Sequence, residues 1–259
     1  MKPWKSSTSR SLVPLPRRTV PVSRSCFISD LHLDPSRPAA TRALATFLDG
    51  HRHCARLFIL GDLFEAWPGD DDDSPLALEV SRLLRDFHAA GPALYILHGN
   101  RDFLLGTAFC AATGAVLLPD PSLIDLNGEP TLLMHGDSLC TLDADYQAFR
   151  RTTRDPAWQA GLLAQPLAER RALAARLRAD SREATSMKSE DIMDVTPAEV
   201  DRVMRAHGVR QLIHGHTHRP MRHETSAGLR WVLGAWEDRG WAIEASANTI
   251  QLTNFNIYQ

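Results

Sequence analysis

Residues 24–32, Arg-Ser-Cys-Phe-Ile-Ser-Asp-Leu-His, run from a short aliphatic stretch directly into two polar side chains, Asp30 and His32. The apolar part, Cys26–Ser29, reads as a strand. The same join recurs four times. Arg56–Leu60 leads into Gly61-Asp62, and Ala93–Leu97 into Gly99-Asn100-Arg101-Asp102. Thr131–Met134 leads into His135-Gly136-Asp137, and Gln211–Ile213 into Gly215-His216-Thr217-His218. Between the early strands the apolar spacing is helical: Leu44, Phe47 and Leu48 over Pro38–Asp49, then Leu76, Val80, Leu83, Leu84 and Phe87 over Pro75–Ala90. Alternating strands and helices predict a layered α/β fold, in which strand carboxyl ends form the ligand crevice. The five polar clusters are therefore expected to converge.

Farther along, the rhythm changes. Gly114–Leu118 and Ser122–Leu126 read as strands, and the turn signal Asn127-Gly128 leads on to Thr131–Met134. Leu229–Leu233, Trp241–Glu244 and Thr249–Thr253 repeat the pattern, so a second sheet packed on the first is expected. Residues 142–195 interrupt it. They carry little strand signal, an apolar stripe of Leu167, Leu173, Ala174 and Leu177, and arginines around that stripe. Thr196-Pro197-Ala198-Glu199 then reads as a helix start with a capping box. The expected organisation is a basic arm over 1–25, a core of 26–141 and 196–259, and a helical cap inserted over 142–195.

The 259 residues are 44% apolar and 23% charged, which excludes collagen-like and globally disordered classes. No apolar run approaches the roughly 20 residues that span a bilayer. Four cysteines without a CxxC pair argue against a thiolate zinc site and favour a reducing, soluble compartment. Six of the 29 basic residues and no acidic ones lie in the first 25 residues, leaving the remainder at −8. That arm lacks the apolar stretch of a signal peptide and reads as disordered. A negative body is a poor partner for nucleic acid.

The polar clusters mix hard oxygen (Asp, Asn) with borderline nitrogen (His), a set suited to Mn²⁺, Fe, Zn²⁺ or Mg²⁺. In Asp30-x-His32 and His216-x-His218 a spacing of two aims both side chains inward if the backbone is extended. Asp30, His32, Asp62, Asn100, His135, His216 and His218 outnumber the ligands one ion needs but suffice for two ions sharing a carboxylate. His51, His53, His88, His98, His207, His214 and His223 fit no such slot and read as surface or core residues. Asp70–Asp73, four adjacent acids near Pro and Gly, read as a solvated loop. Trp67 reads as a packing residue.

The ordered set D-x-H, GD, GN, H and G-H-x-H resembles the calcineurin-like metallophosphoesterase signature. That resemblance implies a two-sheet β-sandwich flanked by helices. It also implies two bound cations: one held by Asp30, His32, Asp62 and His218, the other by Asp62, Asn100, His135 and His216, with Asp62 shared. Where many relatives read GNH, this chain has Asn100-Arg101. An arginine keeps its proton near neutral pH but clasps phosphate oxygens, which suits a leaving group that needs little acid help, such as a phosphate.

Arg101, the run Gly61-Asp-Leu-Phe-Glu-Ala-Trp67 and the helical insert together resemble the UDP-2,3-diacylglucosamine pyrophosphatase family of lipid A synthesis. The likeness runs from about Cys26 to the carboxyl end. It implies two Mn²⁺ ions per chain and attack of water on the α-phosphorus, giving UMP and 2,3-diacylglucosamine 1-phosphate. Asn100 and Arg101 are then the catalytic pair. Asp143, Ser181, Thr185 and Lys188 would contact the head group of the UDP-linked lipid from the cap, and Asn100, Arg101 and His216 from the core. The family also implies peripheral attachment to the cytoplasmic face of a Gram-negative inner membrane. No protein partner is implied. The alternative is a related dimetal phosphoesterase acting on a soluble nucleotide pyrophosphate.

Overall fold

The computed structural model describes residues 24–186 and 192–258, with the backbone alone for 181–186. The basic arm therefore lies, but for its last two residues, outside the described residues, as does Lys188.

Four parallel strands follow the first half of the chain: β1 (Ser25–Ile28), β2 (Arg56–Leu60), β3 (Ala93–Leu97) and β4 (Ala115–Leu117). Helices α1 (Pro38–Gly50), α2 (Pro75–Ala89) and α3 (Thr107–Thr113) connect them. The chain then forms a second sheet from β5 (Ser122–Leu126), β6 (Glu129–Leu133), β7 (Gln211–His214), β8 (Met221–Glu224) and β9 (Leu229–Val232), in the order β5-β6-β7-β9-β8. Two final strands, β10 (Arg239–Ser246) and β11 (Thr249–Asn256), return to the first sheet, giving the order β11-β10-β1-β2-β3-β4. Among the described residues, the α-helices between β6 and β7 are α4 (Ala144–Thr153), α5 (Pro156–Leu163), α6 (Leu167–Ser186) and α7 (Pro197–His207).

Strand alternation decides the layers. Phe27, Phe58, Tyr95, Ile213, Trp231 and Ile243 point between the sheets and fill a shared interior. The opposite faces of β1–β3, through Cys26, Ile28, Leu57, Ile59 and Leu94, pack on Leu44, Phe47, Val80, Leu84 and Phe87 of α1 and α2. Leu132 and Leu212 turn outward onto Val200, Val203 and Met204 of α7. The strands thus read as continuous apolar runs because both faces are covered.

Two local expectations are corrected. Thr196 precedes α7, but its hydroxyl accepts from Thr141 at 2.7 Å and caps nothing, while Glu199 pairs with Arg202. Asp70–Asp73 is only partly the solvated loop expected: Asp71 and Asp73 are exposed, but all four carboxylates have protein partners. Asp70 accepts from the Trp67 indole and from the backbone of Gly106 and Phe109, and Asp71, Asp72 and Asp73 receive Arg170 and Arg171 of α6. Leu173 of α6 packs with Trp158 and Leu162 against the α1–α3 layer. Trp67 does pack, stacked on Phe64 at 4.5 Å. All four cysteines are free.

Arg170 is 4% exposed, and besides Asp71 it donates to the carbonyls of Pro68 and Gln165. Arg170→Met leaves those acceptors without partners, so a loss of about 1–3 kcal/mol in urea unfolding is expected. An unchanged midpoint would show that the acidic loop does not anchor α6.

Candidate metal centre

Each strand end turns sharply into its polar cluster, and the backbone pays for it. Asp30, His32, Asp62, His216 and His218 all have left-handed φ, between 48° and 68°. The expected extended backbone for Asp30-x-His32 and His216-x-His218 is therefore wrong. The side chains reach inward because the chain coils there, at roughly 1–2 kcal/mol for each such residue. Main-chain bonds hold these coils. Asp30 N–H donates to the Gly61 carbonyl, His32 N–H to that of Asp62, and Leu33 N–H to that of Leu63. Gly61 and Gly99 are required at the crossing. A Cβ on Gly99 would sit 2.0 Å from Asp62 Oδ1, and one on Gly61 2.6 Å from His135 Nδ1.

The seven expected side chains meet. Nε2 of His32 and Nε2 of His218 face one another at 3.2 Å, and Asp30 Oδ1 lies 3.5 Å from the latter. On the other side the Asn100 amide oxygen is 2.9 Å from His135 Nε2 and 3.0 Å from His216 Nδ1. Asp62 stands between the halves. Its Oδ2 is 3.9 Å from His32 Nε2 and 3.8 Å from His135 Nε2, while its Oδ1 accepts from Arg101 N–H at 2.8 Å. Two triads, Asp30–His32–His218 and Asp30–Asp62–His135, have donor atoms close enough to hold a cation. The chemistry of the set fits. Imidazole nitrogens and buried carboxylate oxygens aimed at one point repel each other unless a proton or cation lies between them.

The electrostatics of the site point the same way. Burial opposes charge on His135, but Asp62, Asp137 and Asp30 push its imidazole up to about 9. Burial, helped by the His135 charge, drives His216 down to about 4. Desolvation works against ionised Asp30, yet the His218 hydrogen bond and the surrounding imidazoles hold it well below the usual carboxylate range. The acidic surroundings of His135 thus favour positive charge at this point of the site.

Residues given no role from the sequence brace this arrangement. Asp102 is buried and accepts from the N–H groups of Gly99, Leu63 and Asp62, so one carboxylate locks two loops together. Ser29 donates to Asp30 Oδ2 at 2.5 Å, and His216 N–H donates to the same carboxylate. From α4, Tyr146 lays its ring 5.8 Å from that of His216 and donates to Asp137, which Arg150 also contacts. Asp102 was visible as part of the Gly99–Asp102 cluster; the α4 residues carried no signal. Of the expected head-group contacts, Arg101 reaches within 3.7 Å of Asp62 Oδ2. Asp143 serves as the N-cap of α4, accepting from Tyr146 N–H at 3.1 Å. Ser181 and Thr185 lie on α6 with side chains outside the described residues. His214, expected to be bland, is buried one residue before the coil, and desolvation lowers its imidazole to about 3.

This two-sheet scaffold with strand-end Asp, Asn and His donors defines a metal-dependent phosphoesterase fold. A calcineurin-like phosphoesterase profile matches residues 23–220, and the chain belongs to that family. Among curated relatives, one from Cellvibrio japonicus is 55% identical over 236 residues, covering 89% of this chain and 98% of its own. Another, from Pseudomonas aeruginosa, is 54% identical over 86% of this chain and 95% of its own. A third, from Marinobacter nauticus, is 52% identical over 86% and 93%. Each of the three is named UDP-2,3-diacylglucosamine hydrolase.

If a divalent cation binds at His135 in place of a proton, uptake of an ion such as Mn²⁺ is expected to release protons and to tighten as pH rises toward about 9. Calorimetry in buffers of different ionisation enthalpy reads this directly; a buffer-independent heat would contradict it.

Proposed function

We propose that the chain hydrolyses the pyrophosphate of UDP-2,3-diacylglucosamine to UMP and 2,3-diacylglucosamine 1-phosphate, with two Mn²⁺ ions in the centre described above. The observation that carries the two-cation reading is Asp62. One of its oxygens is tied to Arg101 N–H while the other faces both halves of the site at nearly equal distance. The substrate rests on the names and coverage of the relatives.

Bound divalent cations would supply Lewis acidity, which makes water a competent nucleophile near neutral pH and offsets charge on phosphate oxygens. Asp30, His32, Asp62 and His218 would hold one, and Asp62, Asn100, His135 and His216 the other. The chain itself does the positioning. Asp102 fixes the turn that presents Asn100 and Arg101. The Arg101 guanidinium neutralises charge on the departing phosphate, which needs no proton from an acid. Helices α4–α6 serve as a cap over the site, and Asp143, Ser181, Thr185 and Lys188 are the residues that would meet the sugar head group. Exposed Leu142, Phe149 and Leu163 on or beside α4 and α5 support apolar contact with acyl chains and peripheral attachment to the inner membrane. No helix among the described residues is long and apolar enough to cross a membrane.

The test is turnover of the UDP-lipid against UDP-N-acetylglucosamine by Mn²⁺-loaded protein in ¹⁸O-water. Preference for the lipid with label in UMP is expected; equal turnover of both would favour a soluble nucleotide pyrophosphatase. His135→Ala is expected to lower kcat at least about 100-fold while keeping the far-UV circular dichroism.

A further inference from the structure

Glu65 stands where three elements meet. It follows β2 by a short loop, and its Oε2 lies 3.2 Å from His32 Nδ1. Its Oε1 accepts from Arg178 of α6, with Nε at 2.9 Å, and lies 3.8 Å from Arg101 Nη1. His32 Nδ1 and Arg101 Nη1 are buried and make no well-aligned hydrogen bond, so Glu65 is the acceptor that both approach. Two cavities share this carboxylate. One, of about 270 Å³, opens beside His32, His218 and Arg101; the other, of about 470 Å³, runs along α6 past Phe64, Leu76 and Ala174. The Glu65–Arg178 pair borders both.

A guanidinium fork matches a carboxylate and a phosphate equally well in shape, but the phosphate brings more oxygens and more negative charge. We propose that Glu65 is a positioning residue that stands in for substrate phosphate. It holds Arg101 and Arg178 at the mouth of the centre, yields them when a phosphate enters, and keeps His32 oriented throughout. An Nδ1–H directed at Glu65 leaves Nε2 free to face the centre, the usual arrangement by which a carboxylate sets a liganding imidazole. Arg178 thereby becomes a phosphate ligand delivered by the helical segment. This rests on the hydrolase reading above and adds a residue that ties α6 to it.

The experiment measures inorganic phosphate binding to Mn²⁺-loaded protein, and Mn²⁺ binding to metal-free protein, by calorimetry. Glu65→Gln removes the competing charge but retains an acceptor for His32. It is expected to bind phosphate several-fold more tightly, with Mn²⁺ affinity within about threefold of the parent. Arg178→Ala is expected to bind phosphate about tenfold more weakly at unchanged Mn²⁺ affinity. Glu65→Ala is expected to lose about 10–100-fold in Mn²⁺ affinity. If Glu65→Gln weakens phosphate binding as Arg178→Ala does, the pair is only a tether and the proposal falls. Hydrolysis of the UDP-lipid by the parent protein is a separate readout. Its absence overturns the hydrolase reading, whereas the sign of the Glu65→Gln change decides the role of Glu65.

Discussion

One carboxylate organises the site. Asp62 lies just past β2, adopts a left-handed φ of 52°, and is 1% exposed. Its Oδ1 accepts from Arg101 N–H, and its own N–H approaches Asp102. That leaves Oδ2 with a fixed aim between the His32 side and the His135 side. A buried anion with imidazoles on two flanks is costly unless positive charge is shared across it. The raised His135 and the depressed Asp30 are two expressions of that demand. The coiled backbone at Asp30 and His32 persists because the ladder from Asp30, His32 and Leu33 to residues 61–63 over-determines it, and the one at His216 is tied by its N–H to the Asp30 carboxylate.

Around this centre sits a second layer of charge that connects it to the helices between β6 and β7. Asp102 couples the Gly61-Asp62 and Gly99-Asn100 loops, Asp137 receives Tyr146 and Arg150 from α4, and Glu65 receives Arg178 from α6. Carboxylates from core loops meet guanidiniums from the helical segment again at Asp71 with Arg170 and at Asp72 and Asp73 with Arg171.

Much of the core was legible because its strands are buried on both faces and stop abruptly at polar residues. Arg56–Leu60, Ala93–Leu97 and Ser122–Leu126 have the bounds their apolar runs imply. The seven convergent side chains were legible from their order alone. What escaped had distant causes. Helix α3 is capped by Asp70, 36 residues before Gly106, so no local signal marks its start. Strand β8 is an exposed edge of Met-Arg-His-Glu that only its antiparallel pairing with β9 orders. The coiled backbone at Asp30 and His32 follows from contacts with residues 61–63, which a spacing of two does not reveal. Glu65 and Asp102 stood inside quoted motifs, but their partners lie on other loops.

The central claim is that Asp62 bridges two cations. Anomalous diffraction at the manganese edge from crystals grown with Mn²⁺ tests it most directly. The account predicts two peaks about 3.5–4 Å apart, one against His32 and His218, the other against Asn100 and His135, with the Asp62 carboxylate between them. A single peak, or a pair away from Asp62, would contradict it.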